Sequence, residues 1–450
     1  MYYRKEKVGL RAGAESRPLL WIASTSPRRT CVNADNKILV IGGGMSGLTA
    51  ALEAAEAGSQ VIITEAGPYL GGRVAQLHRY FPKLCPPTCG LEINFRRIKE
   101  NPHISFYTMA EVTQVSGSVG NFDVTVKVHP RYVNDRCVAC HACAEACPQW
   151  RVNDFNYGLD KTKAAYLPYD MAFPQQYVID KSACSGDCGQ KCLEACKYDA
   201  IELHMKPQTL NFNVGAVIMA SGWELYDATK MDNLGFGVVA NVITNMQMER
   251  LAASNGPTGG QILRPSDQLP PQKVAFVQCA GSRDENHLPY CSYICCMASL
   301  KQATYVREKN PEAEIYIFYI DIRTPGRYEQ FYWKVRDDEN VHLIRGKVAK
   351  ITQEPGTDNV VVVAENTATL KKQSMVFDMV VLAAGMVPST KASPFPLPLS
   401  YTPDGFVIQD LLPPGVYAVG TLKGPLDVTK SVQDGTGAAL KSLIALGRRS

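Results

Sequence analysis

Short, almost continuous apolar runs recur along this chain, and most of them end at glycine or another small residue. The first covers residues 38–41, and a second at 60–64 follows an alanine-rich segment, 48–57, that stops at Gly58. Such a run is typical of a strand buried on both faces of a parallel sheet, and glycine commonly ends a helix. The pattern therefore predicts a strand–helix–strand unit. Similar runs within 214–222, 273–278, 378–388 and 415–420 predict an α/β fold.

The loop between the first strand and the helix reads Gly42-Gly43-Gly44-Met45-Ser46-Gly47, which is the G-x-G-x-x-G pattern. Here Gly42 makes the tight turn, Gly44 lets a pyrophosphate approach the backbone, and Gly47 lets the helix pack on the strand. The phosphates then lie at the helix N-terminus, where free amides favour anions. Glu65 follows the second strand, where an acid can accept hydrogen bonds from ribose hydroxyls. The segment therefore predicts a dinucleotide site.

The dinucleotide is predicted to be FAD. Gly71-Gly72-Arg73 continues the pattern of flavoproteins of the disulfide-reductase type, and segments 214–222, 378–388 and 415–420 are similar to their remaining signatures. One departure is Thr421, which stands where an Asp usually holds the ribityl chain, so Asp427 or a backbone amide is left as a substitute. The candidate FAD contacts are Gly42, Gly44, Met45, Ser46, Gly47, Glu65, Ala66, Gly72, Arg73, Val112, Ala220, Ser221, Gly222, Gly385, Gly420 and Thr421.

Two cysteine runs lie between the first two FAD segments. The first has the C-x2-C-x2-C-x3-C-P spacing of bacterial [4Fe–4S] ferredoxins, and the second has cysteines at intervals of four. Zinc is the alternative, but zinc ribbons use two C-x2-C pairs rather than four cysteines per run. We therefore predict an inserted ferredoxin-like unit with two [4Fe–4S] clusters on Cys137, Cys140, Cys143, Cys147, Cys184, Cys188, Cys192 and Cys196.

A third cysteine set replaces a second nucleotide loop. The strand at 273–278 is followed by Cys279-Ala280-Gly281-Ser282-Arg283, without the glycines that a nicotinamide dinucleotide needs. Four thiols within 18 residues could instead bind a third cubane. Buried structural thiols and a disulfide between the last two cysteines are the alternatives. The predicted ligands are Cys279, Cys291, Cys295 and Cys296.

Composition narrows the class of protein. The chain has 450 residues and 15 cysteines, at metal-ligand spacings, which favours a reducing cytosol over a secreted disulfide scaffold. The formal net charge of +4 gives no reason to expect nucleic-acid binding. No apolar run approaches the roughly 18 residues of a membrane helix, so we expect no membrane span.

These patterns predict a two-dinucleotide-domain flavoprotein, similar to thioredoxin and disulfide reductases, with an inserted ferredoxin-like unit. Its expected layout is a disordered tail over 1–35, a first FAD-binding piece over 36–130, the inserted unit over 131–205, a second FAD piece over 206–265, a degenerate NAD-like domain with the cluster loop over 266–375, and a third FAD piece over 376–450.

Four residues outside these sets have open roles. Cys85 and Cys89 form a C-x3-C pair, either a redox dithiol or, as the flanking prolines favour, a structural or cluster-shielding pair. Lys301, expected to close the helix after Cys296, is either a surface lysine or a catalytic group that stabilises negative charge on a reduced flavin. His141 is expected to make hydrogen bonds near a cluster rather than to bind iron, because four thiolates already suffice.

The segments 279–283 and 290–303 resemble the hallmark of the family formed by the A subunits of heterodisulfide reductases. The resemblance covers nearly everything from Lys37 onward and implies FAD, an inserted ferredoxin unit and a cluster in this loop. Residues 80–90 look most like the flavin-binding A subunit of the quinone-interacting membrane-bound oxidoreductases of sulfate reducers. Members of that branch can lack the ferredoxin insertion, so the A subunit of a soluble heterodisulfide reductase, with or without electron bifurcation, stays open.

The resemblance implies an oxidoreductase subunit that passes electrons between the quinone pool and a cytoplasmic partner such as adenylylsulfate reductase. The implied neighbours are a second subunit of the heterodisulfide reductase type and a quinone-reactive membrane subunit, which would hold the chain at the inner face of the cytoplasmic membrane. An NAD(P)H-dependent flavin reductase is a further alternative, against which the missing glycine loop argues, and a non-catalytic cluster scaffold is another.

Overall fold

The computed structural model describes residues 36–184 and 188–447. The tail predicted over 1–35 lies outside these residues. The helices are α1 (Met45–Glu56), α2 (Pro87–Glu100), α3 (Ala142–Ala146), α4 (Cys188–Ala195), α5 (Asn245–Ala252), α6 (Cys295–Lys309), α7 (Glu329–Arg336) and α8 (Val428–Gly447).

The strands of the amino-terminal half are β1 (Lys37–Ile41), β2 (Gln60–Glu65), β3 (Ile104–Thr108), β4 (Ala110–Ser118), β5 (Asn121–Val128), β6 (Trp150–Val152), β7 (Lys161–Lys163), β8 (Ala165–Tyr166), β9 (Val178–Ile179), β10 (Gln208–Val214) and β11 (Ala216–Met219). Those of the second half are β12 (Trp223–Leu225), β13 (Val242–Thr244), β14 (Lys273–Ala280), β15 (Glu314–Tyr319), β16 (Val341–Arg345), β17 (Val348–Gln353), β18 (Val360–Asn366), β19 (Lys371–Phe377), β20 (Met379–Ala384), β21 (Met386–Pro388) and β22 (Val416–Ala418).

The first parallel sheet has the strand order β22-β11-β1-β2-β3. Both of its faces are covered, which is why β1 is apolar from Ile38 to Ile41. Ile38 and Val40 pack in the core that includes α1 and α8, whereas Leu39 packs against the other face. That second face is covered by the antiparallel sheet β10-β5-β4. This is the dinucleotide-binding architecture that the glycine loop predicts.

The second parallel sheet has the order β13-β20-β14-β15-β16 and is covered by α5, α6 and α7 on one face and the antiparallel sheet β17-β18-β19 on the other. Two dinucleotide-type halves with the same layering confirm the predicted fold class.

Two strand assignments were wrong. β20, expected in the third FAD piece over 376–450, pairs with β13 and β14 in the second sheet. β13, expected in the second FAD piece, belongs there too. The physical reason is that strands buried on both faces are equally apolar in either sheet, so the residue pattern does not identify the sheet.

The inserted unit connects two paired strands, because β5 ends at Val128 and its antiparallel neighbour β10 begins at Gln208. A bridge between Val133 and Ile201 joins its two ends. The fully buried Arg250 guanidinium fastens the unit to the rest of the protein, because it donates to Asn156 Oδ1 (2.8 Å) and to the Gln76 carbonyl (3.1 Å). Among the described residues, no helix is both long and apolar enough to cross a membrane.

Candidate functional site

A cavity of about 630 Å³ is bounded by the glycine loop, both parallel-sheet halves and the inserted unit. Of the predicted site residues, its walls include Gly44, Met45, Ser46, Glu65, Gly72, Arg73, Ala220, Ser221, Gly222, Lys301 and Thr421. The structure therefore brings together residues that are far apart in the chain, including Lys301 of α6, the helix that begins with Cys295.

The three glycines of the loop differ in what surrounds them. Gly42 has a φ of 109°, and a Cβ there would stand 2.3 Å from the Ala220 carbonyl oxygen; at Gly47 it would stand 1.9 Å from the Gly42 carbonyl oxygen. At Gly44, which lines the cavity, it would meet no atom within 4 Å. No side chain caps α1 at Gly44, and its first turn has no acid. The loop therefore leaves room and free amides for a pyrophosphate, which fits FAD.

Glu65 stands at the end of β2 with both carboxylate oxygens engaged. Oε2 accepts from the Gly43 amide and Oε1 from the Gly67 amide, each at 2.7 Å. Burial raises the pKa of Glu65, against these two bonds, which lower it. Because a carboxylate oxygen can accept more than one hydrogen bond, the group can also receive a ribose hydroxyl.

Arg73 is fixed by side chains that the sequence did not single out. It donates to the Tyr157 hydroxyl (2.9 Å) and forms an ion pair with Glu224, and its guanidinium lies 5.3 Å from the centre of the Trp223 ring. Tyr157 belongs to the inserted unit and donates in turn to Gln76 Oε1 at 2.8 Å. The Gly71-Gly72-Arg73 turn is thus held in place by a residue of the insertion.

Thr421 replaces the Asp that is usual in the final FAD signature, but another carboxylate, that of Asp434, contacts the neighbouring Gly420. Asp434 Oδ2 accepts from the Gly420 amide at 2.6 Å and its Oδ1 pairs with Lys423 at 2.6 Å. Asp427, the predicted substitute, lines the cavity, and its Oδ1 accepts from the Lys430 amide at 2.7 Å at the start of α8.

Six candidate contacts do not line the cavity. Gly42, Gly47 and Gly420 allow close packing, because a side chain at any of them would collide with neighbouring atoms. At Gly420 an added Cβ would stand 2.3 Å from Ser46 Oγ. Val112 of β4 is half-buried and packs against the core, and Ala66 is exposed. Gly385 lies against Ser282 and Ser292 of the cysteine loop instead, because β20 runs in the second sheet.

Lys301 is neither a surface lysine nor the end of a helix, as α6 continues to Lys309. Its side chain is buried on the cavity wall, where Nζ lies 3.1 Å from Glu249 Oε1 and donates to the Arg79 carbonyl. Glu249 is buried too and accepts from Gln302 Nε2 (2.7 Å), the His78 amide (3.0 Å) and the Tyr305 hydroxyl (3.3 Å). No local pattern of residues marks this network in the sequence.

The third cysteine set converges where a nucleotide loop would be. Cys279, Cys295 and Cys296 are buried and Cys291 is half-buried, all as free thiols, so the structure does not contain the alternative disulfide. Burial raises the pKa of Cys295 well above its usual value, and the other three thiols raise it further. Four thiols this close together are a suitable donor set for a cubane.

The inserted unit brings its two cysteine runs together. Burial raises the pKa of Cys143 to about 12, and Cys137, Cys192 and Cys140 contribute to the rise. Cys147 is also buried, and His141 Nδ1 bonds with the Tyr177 hydroxyl. Over the described ranges, no three His, Cys, Asp or Glu side chains are grouped so as to hold one metal ion; a cubane differs, since each thiolate binds its own iron.

Neither Cys85 nor Cys89 is among the residues that line the cavity. Cys85 forms a bridge with Tyr80, whose side chain lines the cavity, and the exposed Cys89 is in the first turn of α2. Both open interpretations of this pair remain.

Sequence reasoning missed the share of the wall that comes from the inserted unit. Arg151, Asn153, Phe155 and Tyr166 line the cavity, although the sequence pattern places them in a separate cluster-binding unit. Segment 150–180 contains more apolar and aromatic residues than two cluster-binding loops need. This excess is a sequence signal that the insertion packs against another part of the protein.

Comparisons with known proteins identify sequences similar to this chain. A family model described as FAD dependent oxidoreductase matches residues 37–83. The chain is 41% identical over 428 residues to the second iron–sulfur A subunit of the CoB–CoM heterodisulfide reductase of Methanopyrus kandleri, covering 92% of this chain and 65% of that protein. It is 40% identical over 429 residues to the A subunit of the ferredoxin/F420H2-dependent CoB–CoM heterodisulfide reductase of Methanosarcina acetivorans, covering 92% and 54%.

Among solved structures, thioredoxin reductase of T. acidophilum aligns with a TM-score of 0.49 and 15% identity over 92% of this chain and 100% of that one. The chain spans 54–65% of the length of the two heterodisulfide reductase subunits named above. Over that shared segment, its sequence places it in the family of heterodisulfide reductase A subunits.

Proposed function

We propose that this chain is an oxidoreductase subunit that holds FAD and [4Fe–4S] clusters and transfers electrons within a heterodisulfide reductase-type complex. The observation that carries the proposal is the shared cavity, whose walls come from the dinucleotide loop, from the helix that starts at Cys295, and from the inserted unit. When bound, FAD supplies both two-electron and one-electron exchange, and the clusters supply one-electron exchange.

The chain's own residues hold and orient the flavin. The α1 amides at Gly44 and Met45 receive the pyrophosphate, Glu65 receives the ribose hydroxyls, and Thr421 or Asp427 lies where the ribityl chain is expected. Lys301 places a buried ammonium at the wall, where it favours negative charge on the ring, and Glu249 fixes its position.

Three cysteine sets are proposed as cluster sites, two in the inserted unit and one that extends from the end of β14 to the first turn of α6. The insertion sites use the runs at 137–147 and 184–196, where the Cys188 side chain lies outside the described residues. The third uses Cys279, Cys291, Cys295 and Cys296. The inserted unit and α6 both contribute to the cavity wall, so these sets would serve as entry and exit points for single electrons.

The proposed partners are the other subunits of the complex. The relatives' names favour a soluble heterodisulfide reductase over the sulfate-reducer membrane complex that residues 80–90 suggest. The membrane complex is therefore the second candidate function. It predicts a quinone-reactive subunit and adenylylsulfate reductase as partners, and a position at the inner face of the membrane. Identifying the subunits that purify with the native chain separates the two.

Rapid mixing tests the electron-transfer role. Because the loop at 279–283 lacks the dinucleotide glycines, NADH and NADPH should leave the flavin oxidised, whereas a low-potential one-electron donor should reduce it. Flavin bleaching by either nucleotide at catalytic rates in the isolated chain would instead assign it to the NAD(P)H-dependent flavin reductases. Poor retention of FAD would favour a cluster scaffold.

A further inference from the structure

One of the four cysteines in the third set lies outside regular secondary structure. Cys279 is in β14, and Cys295 and Cys296 begin α6, so the sheet and the helix fix the positions of these three. Cys291 lies in the irregular loop between them and is half-buried, whereas the other three are buried. A metal ligand on a loop needs further contacts that hold it in a defined place.

The two residues that flank Cys291 both bind the backbone of Met386. The Tyr290 hydroxyl donates to the Met386 carbonyl at 2.8 Å, and the Ser292 hydroxyl accepts from the Met386 amide at 2.9 Å. The sulfur has a contact of its own, because the Tyr293 amide donates to Cys291 Sγ at 3.4 Å. Hydrogen bonds on both sides of Cys291 and at its sulfur therefore set its position.

A buried pair of hydroxyl groups connects this anchor to the start of the same loop. Ser282 Oγ lies 2.7 Å from Ser292 Oγ, and both residues are buried. Gly385, the residue before Met386, packs directly on the pair. A Cβ at Gly385 would stand 2.7 Å from Ser282 Oγ, 3.1 Å from Ser292 Oγ and 2.5 Å from Leu288 Cδ1, all of which belong to the loop. The missing side chain at this position leaves room for the loop.

Met386 also belongs to the wall of the flavin cavity. It is buried, begins β21 and lines the cavity. Its partner strand β12 contributes Trp223 and Glu224 to the same wall. One residue therefore contacts both the loop that carries Cys291 and the cavity that fits FAD.

We infer that Met386 is a positioning residue, whose backbone holds Cys291, and with it the third [4Fe–4S] cluster, at a fixed place beside the flavin. The inference rests on the proposed third cluster site. A ligand that is already held in place loses less conformational entropy when the cluster binds, so these anchors strengthen cluster retention. Gly385 then serves the cluster loop, although the sequence predicts it as an FAD contact.

The test measures how readily an iron chelator removes the third cluster from the complete, cofactor-loaded chain under anaerobic conditions. Ser292→Ala and Tyr290→Phe each remove one anchor, and each should weaken retention of this cluster about 10–100-fold. About four irons should leave, while FAD stays bound and electron paramagnetic resonance still shows the insertion clusters. A merely structural role would release FAD and all clusters together as the fold loosens.

Two variants separate the backbone of this segment from its side chains. Gly385→Ala keeps both anchoring hydroxyls but pushes on the loop, and it needs no change of backbone conformation, because Gly385 is not in the left-handed region. It should weaken the cluster and keep FAD. Met386→Leu keeps the backbone groups and should hold the cluster as tightly as the parent chain.

The matched controls remove hydroxyls that do not anchor Cys291. Tyr226→Phe removes a hydroxyl that bonds to His287 Nδ1 of the same loop at 2.9 Å, and Ser442→Ala removes a buried hydroxyl of α8. Both should keep all irons.

Three results would overturn the inference. These are unchanged cluster retention in both Ser292→Ala and Tyr290→Phe, equal weakening in Met386→Leu, and loss of FAD with full iron in Gly385→Ala. Tyr290→Phe keeps the test open if Ser292→Ala does not fold, because Tyr290 is only half-buried. A parent chain with about eight irons and no third cluster would instead contradict the proposed cluster site.

Discussion

Replacing Glu249 with Gln should destabilise the protein strongly, because it leaves the Lys301 ammonium buried without a counter-charge. Glu249 is 1% exposed and Lys301 5% exposed, with 3.1 Å between Oε1 and Nζ. Removing one partner of a buried pair costs about 3–5 kcal/mol. In Glu249→Gln the ammonium keeps the Arg79 carbonyl and the new amide oxygen as acceptors, but neither carries a counter-charge. We therefore expect the free energy of unfolding to fall by about 4 kcal/mol.

Removing the other partner of the pair, Lys301, should lower the free energy of unfolding by less. In Lys301→Met the carboxylate keeps three donors, namely Gln302 Nε2, the His78 amide and the Tyr305 hydroxyl. The loss should then be about 1–3 kcal/mol, and the double variant should be more stable than Glu249→Gln alone. This order follows from which charge is left with hydrogen-bond partners.

Equilibrium urea unfolding at pH 7.5, read by circular dichroism, measures these differences. The control is Glu56→Gln, which breaks the 2.7 Å pair with Arg97 between side chains that are 48% and 38% exposed. It should cost less than about 1 kcal/mol. If Glu249→Gln costs no more than this control, the ammonium of Lys301 is hydrated or paired elsewhere, and the argument for a buried cation at the cavity wall is refuted.

Burial lowers the pKa of His78 to about 4, so the folded protein favours its neutral form, and stability should fall as pH drops from about 6.5 towards 4. The urea midpoint of His78→Gln should fall less steeply over this pH range than that of the parent chain, and an equal slope would contradict the lowered pKa. Gly44→Val should retain the circular dichroism spectrum but lose FAD, since the added side chain enters the cavity rather than packed backbone; normal flavin content after gel filtration would exclude the pyrophosphate from this loop. Cys296→Ser should lose about four irons and keep FAD by visible absorbance, whereas full iron and unchanged electron delivery would make these thiols structural.

The parts of the site that depend on backbone geometry could be predicted from the sequence. Gly42 and Gly47 lie where a side chain would collide with backbone carbonyls, so the G-x-G-x-x-G spacing carries the geometry directly. A helix next to the Cys295–Cys296 pair was likewise predictable, although it begins at Cys295 itself rather than after the pair.

The parts that depend on distant packing could not be predicted. The apolar run of β20 fits either parallel sheet, and its place was decided by pairing with β13 and β14. The position of the Lys301 ammonium depends on its ion pair with Glu249, which lies on another helix, and no local sequence pattern identifies either residue. The wall formed by Phe155 and Tyr166 depends on how the insertion folds back onto the flavin half.

The cofactor content of the anaerobically purified full chain tests the central claim most directly. Three tetrads of cysteine and one dinucleotide cavity predict about one FAD and roughly twelve iron atoms per chain, measured by flavin absorbance and by mass spectrometry of the metal. Zinc in place of iron, or a chain that holds iron but no flavin after reconstitution, would contradict the account.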